Sequence, residues 1–361
     1  MAGVDELAAI RQRIDALDEQ IQELVSRRAE AAREVARIKL KEDPAPHFYR
    51  PEREAQVLAR VMERNRGPLS DETMARLFRE IMSACLALEQ PLNIAFLGPE
   101  GTFTQAAALK HFGHAVGTTS LVSIPEVFRE VEAGNCHYGV VPVENSTEGV
   151  ISHTLDRFMN SPLRICGEVT LRINHNLLGA MESLDQIERV YSHQQSLAQC
   201  RGWLDRELPR AERIAVGSNA EAARRAREEA RAAAIASETA GEIYGLRVLA
   251  ERIEDEPCNT TRFLVIGRED VPPSGNDKTS LLLATRNEAG GLHRLLTPFA
   301  EHGISMSRIE SRPSRQGVWD YVFFVDVEGH RDDPELAAAL DELERESRVC
   351  KVLGSYPKSV L

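Results

Sequence analysis

NIAFLGPEGTFT, residues 93–104, reads as an apolar strand that passes through a Gly98-Pro-Glu-Gly101 turn straight into a helix. Glycines at the turn free the backbone, and Thr102 or Thr104 can cap the helix that follows. A strand leading at once into a helix is the unit of an α/β layer. The alternation continues outward from this stretch as far as residue 270. GVVPV (139–143), RIAVG (213–217), AAAIA (232–236) and RFLVIG (262–267) are short apolar runs between helical segments. The texture changes on either side. Residues 1–90 read as helix throughout, closed by Pro91. Val271-Pro-Pro-Ser-Gly-Asn-Asp277 reads as a polar linker. Beyond it the order is strand, helix, strand, strand, helix, strand: SLLLATR, GGLHRLLTPFAEH, ISMSRIES, VWDYVFFVDV, PELAAALDELERES and CKVLG.

The 361 residues suffice for two or three domains at roughly 100–200 residues each. A hydrophobic content of 42% and a charged content of 28% fit an ordinary globular chain. The net charge of −12 argues against nucleic acid or an anionic membrane as partner, and an anionic substrate would need a local cluster of cations. Cys85, Cys136, Cys166, Cys200, Cys258 and Cys350 stand in no CxxC or Cys/His spacing, so no metal site is expected. Scattered single thiols suit a reducing cytosol. MAGVDELAAIRQRID holds no apolar signal segment, and no run approaches the roughly 20 residues of a membrane span. The expectation is a cytoplasmic protein.

Within the N-terminal helix, Leu7, Ile10, Ile14, Leu17, Ile21, Leu24, Ala31, Val35 and Ile38 alternate spacings of three and four, as on a packed bundle helix. Arg28 breaks this seam where an apolar residue is due. An unpaired guanidinium on a core seam is costly, so Arg28 should meet an anion. Lys39 lies 11 residues on, about 20° around the helix and roughly 16 Å along it, so both side chains can reach one small anion between them. Arg11 is roughly 25 Å from Arg28 on a straight helix, too far to share that anion within one chain. A solvated flank paired with Asp15, Asp18 or Glu34 is the plainer alternative for all three.

Four polar clusters mark the α/β region: GPEGTFT, VPVENSTEG, YSHQQSLAQC and NTTRF. Strand ends and helix starts are where open α/β sheets bind ligands. Each cluster alone serves equally as turn and cap chemistry. In this order, across nearly all of residues 93–268, they resemble the prephenate dehydratases. The resemblance implies two α/β lobes hinged around a cleft, like type II periplasmic binding proteins. It places Thr261 as the catalytic residue, with Thr102, Asn145, Ser146, Gln195, Arg262 and Phe263 around the substrate. His193 has the only ordinary pKa near 7 among these clusters and reads as structural before catalytic.

The pattern Ile10-Arg11-x2-Ile14-Asp15-x2-Asp18, Arg28, Val35, Lys39, Arg53-Glu54, Cys85-x3-Glu89-Gln90 resembles the all-helical chorismate mutases. That family is a three-helix chain interlocked as a dimer. The resemblance implies Arg28, Lys39, Arg53 and Glu89 as catalytic groups, with Glu54, Cys85 and Arg11 of the partner subunit binding substrate; Arg50 rivals Arg53. A pericyclic rearrangement needs no nucleophile or cofactor, only fixed cations that select the compact conformer and meet charge growing on the ether oxygen. Many relatives carry Gln where Glu89 stands, so Glu89 should work only when protonated.

The C-terminal βαββαβ order, with Asn287-x2-Gly290-Gly291-Leu292 and Glu310-Ser311-Arg312-Pro313, resembles the ACT amino-acid-sensing domain. The resemblance implies that Asn287, Gly290, Leu292, Glu310, Ser311 and Arg312 of adjoining subunits enclose L-phenylalanine. Ala289 and Gly291 stand where other members have Pro and Ala, and Trp319 offers a fluorescent reporter.

The expected chain is therefore multidomain: an all-α mutase over 1–90, a two-lobed α/β dehydratase over 92–270 and an α+β ACT module over 278–361. It would turn chorismate into prephenate and then phenylpyruvate, with CO2 and water, without cofactor or metal, as a homodimer or higher oligomer. No residue decides between prephenate and arogenate. A binding protein without turnover, and a dehydratase whose helical domain only dimerises, are the rivals.

Overall fold

The computed structural model describes residues 2–44, 46–147, 149–256, 259–285, 288–314 and 321–360, without the side chains of residues 2–5. The chain divides into two compact units, residues 1–50, 57–92 and 112–117 in one, and 51–56, 93–111 and 118–361 in the other.

The first unit is built on α1 (Ala2–Glu42), most of α2 (Pro51–Arg64) and α3 (Asp71–Glu89). Pro51 opens α2 at the position where its missing N–H costs nothing. Ser70 caps α3, its side chain accepting from the Thr73 N–H at 3.2 Å. The C-terminal half of α1 packs on α3, with Ala36, Ala75, Ser83 and Cys85 buried. The apolar seam of α1 does not join this core. Leu7, Ile10, Ile14, Leu17, Ile21, Leu24, Val35 and Ile38 are all exposed, Leu24 to 61%. Among the described residues of the unit, none covers the stripe that the spacing marks as buried.

The second unit begins with β1 (Asn93–Leu97), α4 (Phe103–Phe112), β2 (Gly117–Leu121), α5 (Ile124–Glu132), β3 (Tyr138–Asn145), β4 (Gly149–Val150), α6 (Ser152–Phe158) and β5 (Arg164–Arg172). The chain then enters a second lobe of β6 (Asn176–Gly179), β7 (Arg189–His193), α7 (Gln194–Gln199), α8 (Arg201–Glu207), β8 (Glu212–Val216), α9 (Asn219–Glu228), β9 (Ala232–Ala236), α10 (Glu238–Tyr244) and β10 (Arg247–Ala250). It returns to the first lobe as β11 (Thr260–Gly267). The sheets run β2-β1-β3-β11-β5 and β10-β6-β9-β7-β8. Two crossings thus join two α/β lobes, as expected. Alanines explain the close packing of the second lobe: Ala222, Ala223 and Ala226 of α9 meet Ala232, Ala234 and Ala236.

The C-terminal part runs β12 (Asp277–Ala284), α11 (Gly291–Glu301), β13 (Met306–Pro313), β14 (Tyr321–Glu328), α12 (Pro334–Glu346) and β15 (Val349–Pro357), with sheet order β13-β14-β12-β15. It shares one hydrophobic core with the first lobe, where Leu282, Phe324, Leu353 and Tyr356 join Val141, Phe158, Ile165 and Leu264. Gly354 makes the closest approach: a Cβ there would lie 2.2 Å from the Ile165 carbonyl oxygen, so only glycine lets β15 rest on β5. The stretch 271–277 is ordered by its polar residues. Ser274 N–H and Oγ–H donate to Asp277 at 2.8 and 2.6 Å, and the Val271 carbonyl contacts His330 Nε2 at 2.8 Å. Among the described residues no helix is long and apolar enough to cross a membrane.

Candidate functional site

Two groups of chemistry-bearing side chains stand out, one in each unit. In the helical unit, Glu89 closes α3 one turn beyond buried Cys85. Burial raises the Glu89 carboxyl above its ordinary value, opposed by Lys39 and Arg28, which lie close enough to pull it down. The structure thus gathers Arg28, Lys39 and Glu89. Lys39 Nζ donates to the carbonyls of His47 and Phe48 at 3.3 and 3.4 Å and sits over the Phe48 ring. Arg11 is exposed, far back along α1. Arg53 and Glu54 stand in the first turn of α2, and Arg50 is its N-cap residue. If Glu89 acts as a neutral donor, mutase turnover rises as pH falls through its raised pKa, and Glu89→Gln flattens the profile. A wild-type rate that is flat with pH would sink this role.

In the second unit the two lobes enclose a cleft of about 430 Å³. Thr102, Phe103 and Thr104 at the start of α4 line it, as do Asn145, His175, His193, Gln195, Gln199, Asn259, Thr261 and Phe263, and Gly217, Ser218 and Asn219 at the start of α9. Of the expected substrate residues, the structure brings together Thr102, Asn145, Gln195, Thr261 and Phe263. It does not include Arg262 or Ser146. Successive side chains of a strand face opposite ways, so Thr261 and Phe263 share the cleft face while Arg262 points away. Its guanidinium is bound to Glu168 (2.8 Å), Asp326 (2.6 Å) and Tyr356 (3.1 Å), and Lys278 shares Glu168. Removing Arg262 would leave buried Asp326 without its cation, at about 3–5 kcal/mol, while Glu168 keeps Lys278. Ser146 clips two strands: its N–H donates to the Thr260 carbonyl at 2.8 Å and its Oγ accepts from the Thr260 N–H at 2.9 Å.

A chain of hydrogen bonds crosses the cleft wall. Asn145 Oδ1 accepts from the Thr147 N–H at 2.9 Å. Asn145 Nδ2 therefore faces inward, donating to Thr261 Oγ at 2.7 Å and to Asn259 Oδ1 at 2.8 Å. Asn259 Nδ2 donates to Gln199 Oε1 at 3.0 Å, and the same oxygen meets His175 Nε2 at 2.7 Å. Thr261 Oγ thus accepts from Asn145 and keeps its own proton for a group in the cleft. Sequence reasoning missed His175, Gln199 and Asn259 as partners in this chain, although Gln199 and Asn259 lie inside clusters it quoted. His193 lines the cleft and is also the N-cap residue of α7, accepting from the Gln195 N–H at 3.4 Å.

The expected cation cluster is absent: no lysine or arginine is among the described residues lining this cleft. Residues at the starts of α4 and α9 line it instead, where the positive ends of helix dipoles favour an anion.

The C-terminal expectations divide. Gly290 has φ of 76°, in the left-handed region glycine favours, and opens α11; Leu292 is half-exposed there. Glu310 and Arg312 share the inward face of β13, and Ser311 lies on the other. Arg312 faces the dehydratase lobe, bonded to Ser152 and to Asp156 at 3.0 Å, so within one chain it is tied to α6 rather than free for an effector. Beside it Arg308 pairs with Glu144, next to Asn145, at 3.0 Å. Asn287, Trp319 and Cys258 lie outside the described residues.

Three family models match the chain. The family model for prephenate dehydratase matches residues 94–271, that for chorismate mutase type II matches 10–90, and that for the ACT domain matches 279–345. Bifunctional chorismate mutase/prephenate dehydratases of Stutzerimonas stutzeri and Pseudomonas aeruginosa are each 58% identical over 365 aligned positions, covering 100% of both chains. A crystal structure of prephenate dehydratase in complex with L-Phe from Arthrobacter aurescens superposes with a TM-score of 0.68 at 35% identity, over 74% of this chain and 90% of that one.

Proposed function

Because this chain belongs to the bifunctional chorismate mutase/prephenate dehydratases and carries both activities, we propose that it makes phenylpyruvate for L-phenylalanine synthesis and is held in check by that product. In this reading residues 1–90 rearrange chorismate, 92–270 dehydrate prephenate and 278–361 sense L-phenylalanine, in the cytoplasm. The observation that carries it is the bond from Asn145 Nδ2 to Thr261 Oγ at 2.7 Å, inside a cleft built by both lobes.

That bond leaves Thr261 a donor. Prephenate loses its ring carboxylate as CO2 as the ring C–O bond breaks. The electrons of the C–C bond enter the ring, and the departing hydroxyl leaves as water with one added proton. A threonine hydroxyl is a weak acid, so Thr261 stabilises the leaving oxygen by a hydrogen bond, and the added proton is delivered through water. Thr102, Gln195 and the helix starts hold the carboxylates without formal cations, and Phe263 packs beside them. In the first unit, Arg28 and Lys39 clamp chorismate, Glu89 donates to its ether oxygen and Cys85 lines the same pocket.

The exposed seam of α1 supports a homodimer in which a second copy covers it and Arg11 of the partner subunit reaches the site. Gly290, Leu292, Glu310 and Ser311, with Asn287, form the L-phenylalanine contact between copies. An effector acts only through differential affinity for two states. The route from sensor to cleft runs through Arg262–Asp326 and Arg308–Glu144, both beside residues of the Thr261–Asn145 pair. Titrating L-phenylalanine into a prephenate assay tests the reading. Phenylpyruvate formation should fall saturably while chorismate consumption continues. A dehydratase rate indifferent to L-phenylalanine would remove feedback from the account.

A further inference from the structure

His175 belongs to none of the polar clusters, yet it terminates the hydrogen-bond chain that reaches Thr261. It follows β5, is 1% exposed, and packs edge-on against Phe103 with ring centroids 5.8 Å apart. Its backbone N–H donates to Glu254 at 2.9 Å.

The direction of the chain is set at its ends. Primary amides can exchange their N and O by a half-turn with no change of shape. Asn145, Asn259 and Gln199 each have that freedom. The Thr147 N–H at one end does not, and it fixes Asn145 Oδ1. Read onward, Asn259 presents Oδ1 to Asn145 and Nδ2 to Gln199, so Gln199 presents Oε1 to His175. An oxygen facing His175 Nε2 at 2.7 Å requires Nε2 to carry the proton. His175 Nδ1 is then a bare acceptor. It is buried without a hydrogen-bond partner among the described residues, consistent with a ring that stays neutral. Burial lowers the pKa of His175, against its hydrogen bond to Gln199 and the charge of Glu254, which raise it.

We propose that His175 is a positioning residue of the dehydratase: its Nε2–H locks Gln199, and through Gln199 and Asn259 it holds Asn145 as the donor that leaves Thr261 free to donate to the substrate. Without it, Gln199 can turn its NH2 toward Asn259, whose own NH2 already faces that way. The clash resolves by turning Asn259, and Asn145 then meets a donor in place of an acceptor. His175 does not deliver the proton itself. Three side-chain amides separate it from Thr261, and an amide passes no proton without becoming an imidic acid.

The inference rests on Thr261 being the donor, so the test must separate the two. Dehydratase kcat and KM are measured for His175→Leu, His175→Gln and Thr261→Ala, with mutase turnover and melting temperature on the same samples. His175→Leu should lower kcat by about 10²-fold, the scale of a misplaced reacting group, with KM and mutase turnover little changed. His175→Gln offers an N–H in the same place and should recover most of the loss. A Gln variant as poor as a folded Leu variant, or a Leu variant at full kcat beside an inactive Thr261→Ala, overturns the His175 role alone. Thr261→Ala at full kcat overturns the underlying reading instead. If the Leu variant does not fold, 15N NMR of histidine-labelled wild-type protein decides: the Nε2–H tautomer is expected, and an Nδ1–H tautomer would refute it.

Discussion

Thr261→Ala is expected to remove phenylpyruvate formation from prephenate, by roughly 10²–10³-fold or more, the usual loss when one oriented donor is taken from a developing anion. Chorismate rearrangement by the same protein should proceed at the unaltered rate. The reason for so large an effect is geometric. Thr261 is 7% exposed, and the acceptor side of its hydroxyl is filled by Asn145 Nδ2. The hydroxyl hydrogen is thereby left for the leaving oxygen before substrate arrives, so no rearrangement is needed at the moment the C–O bond breaks. Thr261→Ser keeps that hydrogen and should retain measurable turnover. Thr261→Val keeps the shape and should not. Prephenate turnover assayed directly, with chorismate turnover as internal control, separates loss of chemistry from loss of fold.

Lys39→Met should have the opposite pattern, with mutase turnover reduced roughly 10²–10³-fold and the dehydratase intact on supplied prephenate. Lys39 is held by the His47 and Phe48 carbonyls and stands close enough to Glu89 to lower its carboxyl pKa. In the proposed site its loss takes a fixed cation from beside the ether oxygen where charge develops. It also removes one of the two cations opposing the burial of Glu89, so the variant's remaining activity should depend on pH over a higher range than wild type. Equal loss of both activities in Lys39→Met would mean that the substitution disturbs the whole chain.

Arg28 was legible because it interrupts a stripe of Leu and Ile whose apolar spacing is otherwise continuous. The structure sets it near Glu89, 61 residues further along the chain. Thr261 and Phe263 were legible as a pair, and strand alternation alone would have set Arg262 on the far side. Treating Thr-Arg-Phe as one motif hid that simple period. The relay could not be read locally. His175, Gln199 and Asn259 come from the crossing after β5, the end of α7 and the crossing before β11, and each takes its meaning only from the next. The need for cations was argued from net charge, and the dehydratase cleft is lined by helix starts with no lysine or arginine among the described residues. The linker at 271–277 looked loose because its residues are polar, yet those same groups tie it down through Asp277. The α1 seam was read as packed, and in a single chain it lies open, since periodicity reports that a face is to be covered without saying by what.

The most direct test supplies chorismate alone to the purified protein and follows prephenate and phenylpyruvate together. The account predicts a transient of prephenate followed by phenylpyruvate and CO2, with no added cofactor. Chorismate left intact, or prephenate that accumulates without ever becoming phenylpyruvate, would contradict it.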